Sequence, residues 1–174
     1  MNVINKEGEI MNDSLKSLNE LFKNNIFRIP NYQRGYSWER KQLEDFWEDL
    51  NNLPNNREHY IGMISLKELT SLENEEELKL WNDASWLLNR DYHAYHVVDG
   101  QQRITTIIIL IQVIIELYRQ MNINKRHDEI IINNTRLSEI AEQYLVKYKP
   151  NSGDLIATYL FGYEVDKPSD DYLK

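Results

Sequence analysis

The alternation of apolar and polar positions divides the chain into a short series of elements. In DSLKSLNELFKNN, Leu15, Leu18, Leu21 and Phe22 recur at helical spacing, which predicts a short helix capped by Ser14. IFRIPNY predicts a strand ended by Pro30, which has no N–H for a ladder. SWERKQLEDFWEDLNNLP predicts a second helix, with Leu43, Phe46, Trp47, Leu50 and Leu53 as its apolar face and Pro54 as its stop. HYIGMISLKEL reads as a buried strand, TSLENEEELKLWNDAS as an acidic, solvated excursion, and YHAYHVVDG as another strand.

The strongest signal follows. From about residue 100 to 121, Ile104, Ile107, Ile108, Ile111, Ile114, Ile115 and Tyr118 keep a three-four spacing. Ile109, Leu110, Val113 and Leu117 fill most of the remaining circumference, the pattern of a helix in the middle of a domain. A further helix is predicted over about 136–149, with Leu137, Ile140, Tyr144, Leu145 and Tyr148 inward. The tail DLIATYLFGYEVDKPSDDYLK begins as a strand and carries no stop signal. No repeat or low-complexity linker interrupts the series, so the expectation is one domain over 1–174, the front part of a longer protein.

Composition narrows the class. The chain has 174 residues, 41% of them hydrophobic and 28% charged, the balance of an ordinary soluble domain. It has no cysteine, which removes disulfides, thiolate zinc sites and thiol nucleophiles. No basic stretch followed by an apolar run opens the chain. The apolar stretch from Ile104 to Ile115 falls short of the roughly 20 residues that span a bilayer. A cytoplasmic protein without a membrane partner is expected. The formal net charge of −8 disfavours a generally adhesive DNA surface. Within that acidic chain, Arg28, Arg34, Arg40 and Lys41 stand against Glu39 alone, a basic island suited to an anionic ligand.

The candidate chemistry lies where the strand HVVDG meets the long helix. The first N–H groups of a helix lack intrahelical partners and, with the macrodipole, attract anions. Gly100 would let a ligand approach the backbone. Gln101 and Gln102 both donate and accept, and Arg103 adds a planar fork suited to phosphate. Asp99 would repel bare phosphate but could hold Mg²⁺. A plainer reading competes: Asp99 as helix cap, with Gln102 three residues on as the reciprocal acceptor of a capping box. That reading leaves Arg103 unexplained. In RIPNYQRGYSWER, the aromatics Tyr32, Tyr36 and Trp38 alternate with Gln33 and Arg34 around Gly35. Aromatic faces stack on nucleobases while arginine reaches phosphate. Equally, the aromatics of such a turn pack on a core. His93 and His96, three apart on a strand, face opposite sides and make a poor zinc pair. Walker, Gly-x-Ser-x-Gly and His-Glu-x-x-His signatures are absent.

Taken together, FRIPNYQRGYSWERKQLEDFWEDL, HYIGMISL and YHVVDGQQRITTIIIL resemble the N-terminal domain of GmrSD-type, modification-dependent restriction proteins, and FGYEVDKPSDDYLK is similar to the family as well. The resemblance runs from about Ser14 onward. It implies an α+β, ParB/sulfiredoxin-like fold: a small mixed sheet packed against several helices, one of them long and buried. It also implies binding, and often hydrolysis, of a nucleoside triphosphate with Mg²⁺. Such a domain works with an HNH-type nuclease domain, in the same or a partner chain, against modified phage DNA. A homodimer is a further expectation. Carried onto this sequence, the catalytic set is Asp99, Gln101, Gln102 and Arg103. The nucleotide-binding set is Tyr32, Gln33, Arg34, Tyr36, Gly100 and Arg103, and Asp99 is the metal ligand. One departure stands: no HNH-like segment surrounds His59, His93, His96 or His127, so cleavage is not assigned to this chain. A non-catalytic nucleotide switch and a DNA-binding regulator are the alternatives.

Overall fold

The computed structural model describes residues 2–4, 10–11, 15–70, 73–150 and 156–164. In chain order these form β1 (Asn2–Ile4), β2 (Ile10–Met11), α1 (Leu18–Phe22), β3 (Asn25–Ile29), α2 (Arg40–Asn51), β4 (Ser65–Leu69), α3 (Glu75–Lys79), α4 (Ser85–Leu88), β5 (His93–Asp99) and α5 (Gln101–Met121). After α5 come β6 (Ile131–Ile132), β7 (Thr135–Arg136), α6 (Leu137–Tyr144), β8 (Val146–Tyr148), β9 (Ala157–Tyr159) and β10 (Phe161–Tyr163). The architecture is mixed α+β, as the sequence implied. The sheet runs β10-β3-β5-β4, extended at the β4 edge by the short β1 and β2; β6-β7 and β8-β9 form separate two-stranded ladders.

The directions of these strands position everything that follows. β10, β3 and β5 are parallel, with Tyr163 opposite Ile29 and Arg28 opposite His96. β4 runs antiparallel to β5, with Ser65 opposite Asp99. The segments leaving β3, β5 and β10, and the segment entering β4, therefore all meet at one end of the sheet. That end, the carboxyl edge of parallel strands, is where open sheets bind ligands. The core lies on both faces. Phe27 of β3 stacks on Tyr95 and meets Phe22 of α1 edge-on, while Trp81 packs near His96 on the other face. Ile26, Phe27, Ile29, Val97, Ile104 and Leu160 are fully buried.

Several expectations need correction. The short helix is capped by Ser17, in a capping box with Glu20, and Leu15 lies outside it and exposed; Ser14 lies outside the described residues. A residue spacing alone cannot choose between two serines when both precede the apolar run. The acidic excursion is not simply solvated: it forms α3, leads into α4 and sends Trp81 and Ala84 into the core. The strand expected from His59 begins at Ser65, because Gly62, at φ +91°, breaks extended backbone before it. The last predicted helix stops at Tyr144, and Tyr148 sits half-exposed on β8.

The long helix matches its expected span, yet it is not buried throughout. Ile104, Ile107, Ile108 and Ile115 are buried, whereas Val113, Ile114, Leu117 and Met121 are exposed. By length and composition α5 could cross a membrane. Its first two turns, however, are locked into the core and hydrogen-bonded to loops, as a domain's central helix is. Helix α2 is likewise amphipathic with no buried residue; Leu43 and Trp47 face outward.

Candidate functional site

Gly100 makes the turn from β5 into α5. It is the N-cap of the helix at φ +85°, the left-handed conformation that glycine adopts without strain. A Cβ there would come within 3.0 Å of Ile64 Cγ1 and 3.2 Å of the Met63 carbonyl, so the neighbouring chain also requires glycine. The capping-box reading fails here. Asp99 is the exposed last residue of β5 rather than the cap, and the cap supplies no side-chain hydrogen bond. The first N–H groups of α5 are thus left to some acceptor other than a capping side chain.

Gln102, freed from that role, fastens the loop that follows β3. Its Nε2 donates to the Gly35 carbonyl at 3.1 Å, and its Oε1 accepts from the Ser37 N–H at 2.8 Å. Thr106 donates its hydroxyl proton to the Gln102 carbonyl at 2.8 Å, so the Tyr36 hydroxyl, 2.8 Å from Thr106 Oγ1, must be the donor in that contact. Gln33 reaches back to donate to the Val98 carbonyl at 2.9 Å. Gln101 Nε2 donates to the Arg34 carbonyl at 3.0 Å, but its Oε1 is buried without a partner. Buried polar atoms are nearly always satisfied, so this acceptor marks a place for a donor.

Arg103 is held from the third side. Its Nη1 donates to the Ile61 carbonyl at 3.1 Å. Gly62 gives it room: a Cβ at that position would sit 2.0 Å from Nη1. One arm of the fork is therefore occupied, leaving the other guanidinium donors for a ligand.

The structure thus brings Gln33, the Arg34 and Gly35 backbone, Tyr36, Gly100, Gln101, Gln102 and Arg103 together at the carboxyl end of β3 and β5, with Asp99 at its rim. Tyr32 and Arg34 are exposed beside it. Trp38 instead packs against Phe46, with ring centroids 6.1 Å apart. The basic island is smaller than its sequence suggests. Arg28 is buried, bonded to the Phe27 and Tyr159 carbonyls and to Asp83, and its guanidinium lies 5.2 Å from the Trp81 ring. Arg40 pairs with Glu44 at 2.7 Å. Arg34 and Lys41 remain exposed.

Residues without a clear signal in the sequence complete the arrangement. Ile61 and Gly62 seat Arg103, and Ser37 and Thr106 complete the loop's bonds. Glu164, at the end of β10, accepts from the Asn31 N–H at 3.3 Å and lies 3.4 Å from His96. The quoted tail motif FGYE contained Glu164, but nothing in it pointed to β3.

Among the described residues no group of three or more His, Asp or Glu converges as a metal cage. Mg²⁺ typically takes one or two carboxylates and completes its shell with water and phosphate oxygens. One exposed carboxylate, Asp99, beside a helix N-terminus fits that habit. Concavities of 470 and 330 Å³ elsewhere, around Leu78, Leu88 and Ala94 and around Phe22, Lys23 and Glu139, contain none of the motif residues.

Comparison with family models matches residues 18–168 to the GmrSD restriction endonuclease, N-terminal domain. No curated protein matches the chain.

Proposed function

The chain belongs to the family of GmrSD restriction endonuclease N-terminal domains, part of a modification-dependent restriction system, and from that premise we propose that it binds and hydrolyses a nucleoside triphosphate at the start of α5. The observation that carries this reading is the meeting of a Gly-capped helix N-terminus, Arg103 and the Arg34 loop at one sheet end. The phosphates lie against the first N–H groups of α5, where the macrodipole favours negative charge. Arg34 and the free donors of Arg103 neutralise them further. Asp99 would hold Mg²⁺, which would supply additional charge neutralisation there. Tyr32, exposed at the rim, offers a face to the base.

Phosphoryl transfer requires positioning above all. Gln101 and Gln102 divide that task unequally. Both ends of the Gln102 amide are bound to the loop, so it holds the site's wall. Gln101 Oε1 is the acceptor left over and orients the attacking water. The hydrolysis licenses a separate HNH-type nuclease domain, in the same or a partner chain, to act on modified phage DNA. A second reading, a nucleotide-dependent switch without turnover, draws on the same Gln102 bonds, since a ligand at α5 would be felt directly by the loop at residues 33–37.

Phosphate release from the purified chain separates the two readings. Turnover by the wild type, reduced at least about tenfold in Arg103→Ala, supports the hydrolase. Binding without release supports the switch. Absence of both refutes the nucleotide site.

A further inference from the structure

The proposed site makes no use of a second polar group beneath it. His96 of β5 and Glu164, which follows β10, meet across the intervening β3, their side chains 5% and 9% exposed, with Nε2 and Oε1 3.4 Å apart. The contact is close but not aligned, and His96 Nε2 has no hydrogen-bond partner. Glu164 is bound on two other sides. Its N–H donates to the Ile29 carbonyl at 3.0 Å, and its Oε2 accepts from the Asn31 N–H at 3.3 Å. Ile29 is the last residue of β3, and Asn31 opens the loop whose residues 34–37 are fastened to Gln101 and Gln102. His96 lies on β5, three residues before Asp99. Glu164 therefore joins the ends of β10 and β3 through its backbone N–H, holds the Asn31 N–H with its carboxylate and abuts β5, immediately upstream of both motifs.

We propose that Glu164, backed by His96, is a positioning residue that sets the loop at residues 31–37 over the start of α5. Burying a carboxylate costs stability unless partners compensate it, and here the Asn31 N–H on one oxygen and the imidazole beside the other do so. Gln101 and Gln102 fix the far end of the loop, Gln33 on the Val98 carbonyl fixes its middle, and Glu164 holds its first amide, so removing the Glu164 carboxylate loosens the stretch from Asn31 to Gln33. The effect on the loop stands by itself; its consequence for nucleotide rests on the proposed function.

Amide hydrogen exchange reads the loop directly. Glu164→Ala removes the acceptor and should speed exchange over residues 31–33 by about tenfold or more, while protection of the Ser37 amide and within α5 is retained. Glu164→Asp keeps the charge but shortens the reach to Asn31, and should loosen the same segment; it decides the matter if the alanine variant does not fold. Glu164→Gln keeps an acceptor for Asn31 and turns its amide N–H toward the imidazole, so it should restore the wild-type pattern. Unchanged exchange in the loop, loosening spread equally over α5, or failure of glutamine to rescue would overturn the proposal. Calorimetric titration of a non-hydrolysable triphosphate with Mg²⁺ into the same proteins should show affinity falling with loop protection. Affinity unchanged in a variant with a loosened loop would overturn the positioning role. A wild type that binds no nucleotide would contradict the proposed function, while the exchange result would still decide the clamp.

Discussion

Neighbouring glutamines in one motif have different jobs, and stability measurements should separate them. Gln102→Ala removes two hydrogen bonds and leaves the Gly35 carbonyl and Ser37 N–H without their partner. A loss of about 1–3 kcal/mol in urea denaturation is expected. Gln101→Ala removes one bond and an unsatisfied acceptor together, so its cost should be clearly smaller. Equal costs would contradict the division of roles. Gly62→Ala should displace Arg103, since φ is +91° and the added Cβ meets Nη1, and should weaken nucleotide binding much as Arg103→Ala does. His96 carries a pH signature. Burial holds its pKa below the ordinary 6.5; Glu164 and Glu77 oppose that shift and Lys67 adds to it. The unfolded chain therefore takes up this proton first, and stability is full above about pH 6.5 and declines as pH falls below it. His96→Gln should flatten that decline in thermal melts between neutral and mildly acidic pH; an unchanged slope would show that other groups carry it. At this scale the sequence exposed the motif residues but not their partners. Asp99 and Gln102 have the spacing of a capping box, yet Gly100 takes the cap position, and no local pattern reveals that Gln102 faces a loop far away in the chain.

Periodicity located the long helix well because its three-four pattern is strong, but it could not say which turns are covered. Ile107 of α5 is buried and Ile114 is exposed, though both belong to the three-four set; Leu117, on the face opposite the buried Ile108, is half-exposed. Ile108→Ala should cost about 2–5 kcal/mol. Leu117→Ala should fall within about 0.5 kcal/mol. Comparable losses at both positions would mean that the second half of α5 is buried in solution. Helix α2 teaches the same lesson, since its apolar face is legible and yet Leu43 and Trp47 are exposed. The excursion at residues 70–85 failed in the opposite direction. Its charge run hid Trp81 and Ala84, two buried residues spaced too sparsely to register against the glutamates.

For the molecule as a whole, the strands at the centre of the sheet, β3, β4, β5 and the tail strand, were legible; the short β1, β2, β6, β7 and β8 were not, and neither was strand order. That β3 lies between β5 and β10, and parallel to both, depends on long-range pairing that no local window contains. Yet this order alone brings the two motifs to one edge and puts Glu164 beside them. The chain by itself should not cut DNA. Among the described residues no cluster of carboxylates and histidines is present to hold a nuclease metal, and the net charge is −8. Incubation with modified and unmodified phage DNA, Mg²⁺ or Mn²⁺ and each triphosphate should leave strands intact; nicking lost on mutating a residue of this chain would overturn that. The central claim is that the start of α5 is a triphosphate site. Its most direct test is calorimetric titration of a non-hydrolysable triphosphate with Mg²⁺ into the wild type and Arg103→Ala, with both folds checked by thermal melts. Saturable binding by the wild type, weakened roughly tenfold or more in the variant at nearly unchanged stability, is the expected result. Equal affinity in the two proteins, or none in the wild type, would contradict it.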